Sequence, residues 1–308
     1  MAQQKKTGKT AAKSKRSDSL KLWIAGARLR TLPLAIAPVL IGMGAADAAG
    51  KFNLALSLLA LTVSLSLQIG VNYANDYSDG IRGTDANRVG PLRLTGSNSV
   101  RPSAVKNAAF AFFGIAGIAG LVIVVMTQHW WFLPVGAVSI LAAWFYTGGK
   151  SPYGYAGLGE LAVFVFFGLV ATYGTAYIQI GSFDLNSLFG GIALGFFASA
   201  VLMINNIRDI NTDAEVGKRT LAVKVGAKWA KALFVVMLWL PMLILAPFPF
   251  LYPATFFAWA TLFLVVPATV IALAAKTPRE QILVLKLTSF AALAYATLFA
   301  QGLAAING

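Results

Sequence analysis

Long runs of apolar residues follow one another along almost the whole chain, separated by short polar segments. An α-helix needs roughly 20 apolar residues to cross the hydrocarbon core of a bilayer. Of the 308 residues, 58% are hydrophobic and 12% are charged, whereas soluble domains carry about 25% charged residues. The sequence therefore predicts an all-α, polytopic membrane protein with nine transmembrane helices, at approximately residues 24–46, 53–75, 104–126, 130–147, 157–180, 187–206, 230–247, 251–274 and 283–304.

The basic residues are distributed among these helices in a way that orients the chain. If the N-terminus is cytoplasmic, all of the 25 lysines and arginines except Lys51 fall in segments on the cytoplasmic side. Cytoplasmic loops of membrane proteins carry this excess of positive charge. We therefore expect a cytoplasmic N-terminus and an outer C-terminus. The net charge of +14 is then a topology signal, and we expect no nucleic-acid partner.

Composition also limits the domain organisation and the kinds of site. Residues 1–20 are polar and rich in lysine, which predicts a disordered basic tail on the cytoplasmic leaflet. Residues 21–308 are taken up by predicted helices and short loops, so we expect one transmembrane domain. The chain has no cysteine and a single histidine, His129. Disulfides, thiolate metal sites and multi-histidine metal sites are thereby excluded.

Six of the eleven acidic residues lie in two short segments, each at the predicted cytoplasmic end of an apolar helix. In the first segment, residues spaced by three and four share one helical face. These residues are Asn72, Asn75, Asp76 and Asp79. Gly80 and Gly83 then interrupt the helix, and Asp85 lies beyond the interruption.

The second segment repeats this arrangement with Asn205, Asp209 and Asp213, again on one helical face. Carboxylates brought together repel one another unless a cation neutralises them. A ligand set of oxygen atoms alone favours Mg²⁺ or Ca²⁺, and Mg²⁺ is usually held by one or two carboxylates plus substrate phosphates. The two segments therefore predict two halves of one site for a metal-bound polyanion, with nearby arginines and lysines for its phosphate oxygens.

Two other uses of these acidic residues are compatible with the sequence. The carboxylates could form salt bridges with arginines of the same loops. A secondary transporter for an anionic amphiphile would also place acids in its helices, but it would favour positions near the middle of the membrane. Here the acids lie at helix ends, which favours the metal site.

Four sequence motifs together resemble the UbiA superfamily of intramembrane prenyltransferases, over about residues 22–304. They are Ala27–Pro33, Asn75–Gly80, Tyr146–Lys150, and Asn205–Asp209 with Gly217–Ala222. The first family motif is Asn-x3-Asp-x3-Asp. This chain has Asn75 and Asp79 at its first two positions and Gly83 at the third, with Asp85 as the next acid. That departure is similar to the branch that acts on 1,4-dihydroxy-2-naphthoate.

The resemblance implies helices around a central cavity that opens to the cytoplasmic side, in the plasma membrane of a bacterium. It implies Mg²⁺-dependent transfer of a polyprenyl group from polyprenyl diphosphate to 1,4-dihydroxy-2-naphthoate, with loss of carbon dioxide, to give demethylmenaquinol in menaquinone biosynthesis. Other acceptors of the superfamily, such as 4-hydroxybenzoate, homogentisate, a chlorophyllide or a ribose phosphate, remain alternatives.

The resemblance and the chemistry of the motifs together assign residues to three roles. The expected metal ligands are Asp76, Asp79, Asp85, Asp209 and Asp213. The expected catalytic residues are Asp76, Asp79, Asp209, Asp213, Lys150 and Tyr146. The expected substrate-binding residues are Asn72, Asn75, Arg82, Asn205, Arg208, Lys218 and Arg30.

Simpler roles are open for three of these residues. Arg30 could position an acidic acceptor or extend toward lipid headgroups. Lys150 could hold diphosphate or only supply positive charge to its cytoplasmic loop. Tyr146 could stabilise an allylic cation or belong to the interfacial belt of aromatic residues.

Overall fold

The computed structural model describes residues 20–84 and 93–306, and this part of the chain is helical with no β-strand. The basic tail expected at residues 1–20 and the metal ligand expected at Asp85 lie outside the described residues, apart from Leu20. The helices are α1 Leu20–Thr31, α2 Pro33–Ala48, α3 Leu54–Ile81, α4 Pro102–Thr127, α5 Phe132–Phe145, α6 Gly159–Ile180, α7 Leu185–Arg208, α8 Ile210–Glu215, α9 Leu221–Leu251, α10 Pro253–Ala274 and α11 Pro278–Ala304.

Seven of these helices are long and apolar enough to cross a membrane, namely α3, α4, α6, α7, α9, α10 and α11. Helices α1 and α2 meet the same criterion together, but they are bent by 51° at the break between them. Helix α5 is apolar and has 14 residues. A multi-pass membrane protein is therefore confirmed, while the number of nine spans and the orientation in the membrane remain predictions.

Polar side chains fix where several helices begin. Asn53 caps α3 by accepting a hydrogen bond from the amide of Leu56, and Asp184 caps α7 through the amide of Ser187. Helix α11 begins with a capping box, in which Thr277 and Glu280 each satisfy the other's backbone amide. Each cap satisfies amides that have no partner within the helix.

The bend between α1 and α2 involves residues 28–32, which are the last turn of α1 and Leu32. Arg28 has φ 54° and ψ 60°, in the left-handed region, which costs a residue with a side chain about 1–2 kcal/mol. Pro33 starts α2, a position where its missing amide proton is tolerated. A proline within a helix usually kinks it. The large bend precedes Pro33, and Pro38 is accommodated inside α2.

Helix α6 packs very closely on α7. Residues Phe164–Val170 form a π-helical segment within α6. At Gly168 a Cβ atom would lie 2.4 Å from the Cα atom of Gly195 and 2.6 Å from the carbonyl oxygen of Gly191. Because no larger residue fits at this contact, the glycines fix the position of α6 against α7.

Two packed groups of helices surround the interior. Helices α2, α7 and α11 meet in a core that fully buries Ile41, Phe197 and Phe299. Helices α3 and α4 pack around Tyr73 and Phe113 in a smaller core. A cavity is lined by residues of both groups.

Candidate active site

The cavity has a volume of about 540 Å³ and is lined by residues of α1 to α7 and the loops between them, by Lys218 and Thr220 between α8 and α9, and by Leu285 of α11. Along α3 its lining runs from Asp79 to Ala60, which corresponds to about 28 Å of helix. The lining near Asp79 is polar, with Asn72, Asn75, Arg93, Asn205 and Lys218. Toward the other end it is apolar, with Val63, Leu67, Leu121, Val124, Phe132 and Ile178. The shape suits a long apolar molecule with a charged head.

Glycines form part of the apolar wall. Gly120 of α4 and Gly136 of α5 line the cavity, and a Cβ atom at either position would meet no other atom within 4 Å. A larger side chain at either position would therefore cause no steric clash.

Lys218 joins the two acidic segments at the polar end. Its Nζ atom lies 3.7 Å from Asp79 Oδ2 and 3.8 Å from Asp213 Oδ1. Arg93 Nη2 lies 3.7 Å from the same Asp79 oxygen. The predicted meeting of the two segments is thus present in the structure, around a positive charge that both carboxylates share.

Tyr155 also binds Asp79, and the sequence motifs did not identify it. Its hydroxyl donates a hydrogen bond of 2.6 Å to Asp79 Oδ1. Its ring lies under Lys218, with Nζ 4.7 Å from the ring centre, and under Arg82 at 5.4 Å. Burial, and then the adjacent Asp79 carboxylate, raise the pKa of Tyr155 well above its usual value. Its neighbour Tyr153, in the same loop, has its pKa raised by burial to about 12.

Asp76 binds backbone rather than basic side chains. It is 1% exposed, and its two carboxylate oxygens accept hydrogen bonds of 2.8 Å from the amides of Leu94 and Thr95. The contact is close, because a Cβ atom at Gly80 would lie 2.5 Å from Thr95. Asp76 therefore anchors the segment that contains Arg93, and this places Arg93 next to Asp79. A metal ligand at Asp76 remains a prediction.

The asparagines of the first segment line the cavity and connect it to other elements. Asn72 donates to the carbonyl oxygen of Ala27 at 2.9 Å, which ties α3 to α1. Asn75 accepts a hydrogen bond of 2.8 Å from the hydroxyl of Thr147. Arg82 donates to the carbonyl oxygens of Thr147 and Gly149, so it holds the loop after α5.

In the second segment, Asn205 lines the cavity, whereas Arg208 and Asp209 bind each other. The guanidinium of Arg208 donates two hydrogen bonds, of 2.7 and 2.6 Å, to the two oxygens of Asp209. This pair is almost fully buried. Breaking such a pair leaves a buried charge without compensation, which is strongly destabilising.

The remaining predicted residues are divided between the cavity and the surface. Tyr146 lines the cavity, as do Arg28 and Arg30 at the break after α1. Lys150 is exposed and is absent from the cavity lining. This position favours the topology role over the predicted contact with diphosphate.

The donor atoms of this site suit Mg²⁺ bound together with a phosphate group. Within residues 20–84 and 93–306, no three acidic, cysteine or histidine side chains form a cluster that could hold a metal ion unaided. Mg²⁺ needs fewer than three protein side chains, because it is usually held by one or two carboxylates plus substrate phosphates and water. Asp79 and Asp213, which already share the Lys218 ammonium, fit that requirement.

Comparison with known proteins agrees with this architecture. The model of the UbiA prenyltransferase family matches residues 35–305. A 1,4-dihydroxy-2-naphthoate octaprenyltransferase of Mycobacterium tuberculosis is 52% identical over 69% of this chain and 72% of its own length. The enzyme of the same name from Escherichia coli is 40% identical over 66% of this chain and 68% of its own length.

Solved structures share the fold at low sequence identity. A UbiA homologue from Aeropyrum pernix has a TM-score of 0.66 at 16% identity, over 89% of this chain and 98% of its own. One from Archaeoglobus fulgidus, solved with DMAPP and Mg²⁺, has a TM-score of 0.56 at 14% identity, over the same shares. From the family match and the identities to its relatives, the chain belongs to the UbiA prenyltransferase family.

Proposed function

We propose that this protein transfers a polyprenyl group from polyprenyl diphosphate to 1,4-dihydroxy-2-naphthoate, with Mg²⁺, in menaquinone biosynthesis. The relatives with that printed name support the choice of acceptor. The observation that carries the proposal is the meeting of both acidic segments at Lys218, at the polar end of an otherwise apolar cavity.

The polar end would hold the diphosphate. Lys218 and Arg93 line the cavity and supply positive charge for phosphate oxygens. Asp79 and Asp213 would hold Mg²⁺, which neutralises charge on the departing diphosphate. Asp76 contributes indirectly, because it fixes the segment that carries Arg93.

The apolar part would hold the prenyl chain and keep water away. Loss of diphosphate leaves an allylic cation that water would quench, so the reaction needs a dry site. The cavity wall of α3 to α6 is formed largely by aliphatic and aromatic side chains. Tyr146 and Tyr155 also line the cavity, and the face of an aromatic ring stabilises an adjacent cation.

The acceptor reacts at the ring carbon that bears its carboxylate. That carbon forms a bond to the first carbon of the prenyl group, and the diphosphate leaves with the electron pair of its carbon–oxygen bond. The bond to the carboxylate then breaks, its electrons return to the ring, and carbon dioxide leaves. Arg28 and Arg30 line the cavity and would attract the acceptor's carboxylate.

The protein would work in the bacterial plasma membrane with its N-terminus and its polar cavity end on the cytoplasmic side. The distribution of basic residues supports this orientation. The bilayer would receive the prenylated product, since both the prenyl chain and the cavity wall are apolar.

The test is an assay of the purified protein in detergent with polyprenyl diphosphate, Mg²⁺ and a panel of aromatic acceptors. We expect prenylated, decarboxylated product from 1,4-dihydroxy-2-naphthoate, no product with EDTA, and recovery when Mg²⁺ is added. Product from 4-hydroxybenzoate or homogentisate instead would contradict the proposed acceptor. A protein that forms no product but moves an anionic amphiphile across sealed vesicles would be the transporter.

A further inference from the structure

Glu160 is a buried acid that the proposed chemistry leaves unused. It lies in the first turn of α6 and is 4% exposed. Its Oε1 atom accepts a hydrogen bond of 2.9 Å from Nδ2 of Asn206, and its Oε2 atom has no hydrogen-bond partner. Within the described ranges, 20–84 and 93–306, no lysine or arginine forms an ion pair with it. A buried carboxyl group with so little compensation is costly, which indicates a role beyond packing.

The position of Glu160 against α7 is fixed by other contacts. Its backbone carbonyl oxygen accepts a hydrogen bond of 2.9 Å from the hydroxyl of Ser199. The contact of Gly168 with Gly191 and Gly195 fixes the same two helices further along. The Glu160 carboxyl therefore meets Asn206 in a defined place.

This contact orients the amide of Asn206. Asn206 is 7% exposed and lines the cavity, next to Asn205 in the second acidic segment. The Oε1 atom of Glu160 accepts the hydrogen bond from Nδ2, so the NH₂ group of Asn206 is turned toward Glu160. The carbonyl oxygen of the same amide is then left for the cavity.

A carbonyl oxygen in this cavity distinguishes the two substrates of the proposed reaction. Diphosphate oxygens only accept hydrogen bonds, so they gain nothing from another acceptor. The dihydroxynaphthoate ring carries two hydroxyl groups that can donate. We propose that Asn206, oriented by Glu160, accepts a hydrogen bond from one hydroxyl of the aromatic acceptor and thereby selects rings that carry this hydroxyl. Glu160 acts through Asn206 as a positioning residue. This inference rests on the proposed function.

The test measures acceptor selectivity in Asn206→Leu, which removes the amide at similar volume. We expect its KM for dihydroxynaphthoate to rise about tenfold, as for one lost hydrogen bond, with KM for the prenyl diphosphate and the half-saturating Mg²⁺ concentration unchanged. The inhibition constants of 1-hydroxy-2-naphthoate and 4-hydroxy-2-naphthoate identify the hydroxyl. In the wild type, the analogue that lacks the hydroxyl bound by Asn206 should have an inhibition constant about tenfold higher than that of the other analogue. In Asn206→Leu the inhibition constants of the two analogues should be equal.

Two further variants test the pair. Glu160→Leu should reproduce the loss of selectivity, and Glu160→Leu/Asn206→Leu should add nothing to it, because Glu160 acts through Asn206. Ser289→Ala removes a buried hydroxyl of α11 whose hydrogen bond to the carbonyl oxygen of Leu285 stays within that helix, and it should keep the selectivity of the wild type. If Glu160→Leu does not fold, the Asn206→Leu inhibition constants decide the question.

Three outcomes contradict the inference while the wild type remains active on dihydroxynaphthoate. They are unchanged selectivity in Asn206→Leu, additive effects of the two substitutions, and a shift in the Mg²⁺ requirement, which would make Asn206 a metal ligand instead. A wild type that does not prenylate dihydroxynaphthoate would contradict the proposed function itself.

Discussion

The ammonium of Lys218 lies within 4 Å of one carboxylate from each acidic segment, 3.7 Å from Asp79 and 3.8 Å from Asp213. Asp79 is far from Asp213 and Lys218 in the sequence, and each of the two carboxylates compensates part of the same positive charge. If Mg²⁺ and diphosphate bind as proposed, Asp79 and Asp213 would hold the metal and Lys218 would bind phosphate oxygens. The same three side chains therefore suit both the free and the substrate-bound site.

Asp79→Asn and Asp213→Asn should each lower turnover by at least about a hundredfold, because each removes a charged ligand of the proposed Mg²⁺ site. The measurement is kcat/KM for prenyl diphosphate across a range of Mg²⁺ concentrations. Glu215→Gln is the matched control, since Glu215 lies in the second segment but is exposed. Full turnover in the Asp79→Asn/Asp213→Asn double variant would rule out a site built from both segments.

Lys218→Gln should raise KM for prenyl diphosphate roughly ten- to hundredfold, since a charge-assisted hydrogen bond contributes about 1.5–3 kcal/mol. Lys218→Arg should lose less, because it keeps the charge. Lys228→Gln serves as control, because Lys228 is exposed in the same basic region. Equal effects of Lys218→Gln and Lys228→Gln would show that only overall charge matters.

Lys150→Gln should lower turnover by less than about threefold, a change below 1 kcal/mol. The side chain is exposed and outside the cavity lining, which favours the role in topology. Kinetics with prenyl diphosphate, at matched expression, provide the measurement. A loss as large as that of Lys218→Gln would instead support direct binding of diphosphate, as the family motif implies.

Asp76→Asn should destabilise the protein without changing its Mg²⁺ requirement. An asparagine can accept only one of the two backbone hydrogen bonds, and a buried amide without a partner costs about 1–3 kcal/mol. We expect a lower thermal midpoint in detergent and a higher KM for prenyl diphosphate, because Arg93 loses its support. If Mg²⁺ half-saturation shifts as it does in Asp79→Asn, Asp76 is a metal ligand after all.

Tyr155→Phe should lower activity by a factor that stays constant from about pH 7 to about pH 10, the ordinary pKa of tyrosine. Burial and the Asp79 carboxylate raise the pKa of Tyr155. The hydroxyl therefore remains a donor below pH 10, and its hydrogen bond is lost only as pH rises through the raised value. The measurement is the ratio of wild-type to variant kcat/KM against pH. A ratio that falls toward one near neutral pH would contradict the raised pKa.

The sequence predicted the multi-pass helical architecture, because apolar length is a local property of the chain. It predicted the meeting of the two acidic segments, because clustered carboxylates need a shared cation. It did not separate Asp76 from Asp79, which share one helical face. Their roles differ because the amides of Leu94 and Thr95 reach Asp76, and that contact depends on the path of the following loop.

Tyr155 and Glu160 were missed for a similar reason. Neither belongs to an acidic segment, and each gains its partner from another part of the chain, Asp79 for Tyr155 and Asn206 for Glu160. The π-helical segment Phe164–Val170 was not predicted either. Its only helix-breaking residue is Gly168, which lies at the contact with α7.

The glycines at the contact of α6 with α7 and those in the cavity wall formed by α4 and α5 differ in how far they tolerate change. At Gly168 and Gly195 any added carbon would collide with the facing helix. At Gly120 and Gly136 there is open space, and alanine stabilises a helix relative to glycine by roughly 0.5–1 kcal/mol. Larger side chains on that wall would shorten the room for the isoprenoid at no cost to the backbone. The length of prenyl chain that such an enzyme prefers is therefore open to engineering, or to evolutionary drift, from the α4–α5 side alone.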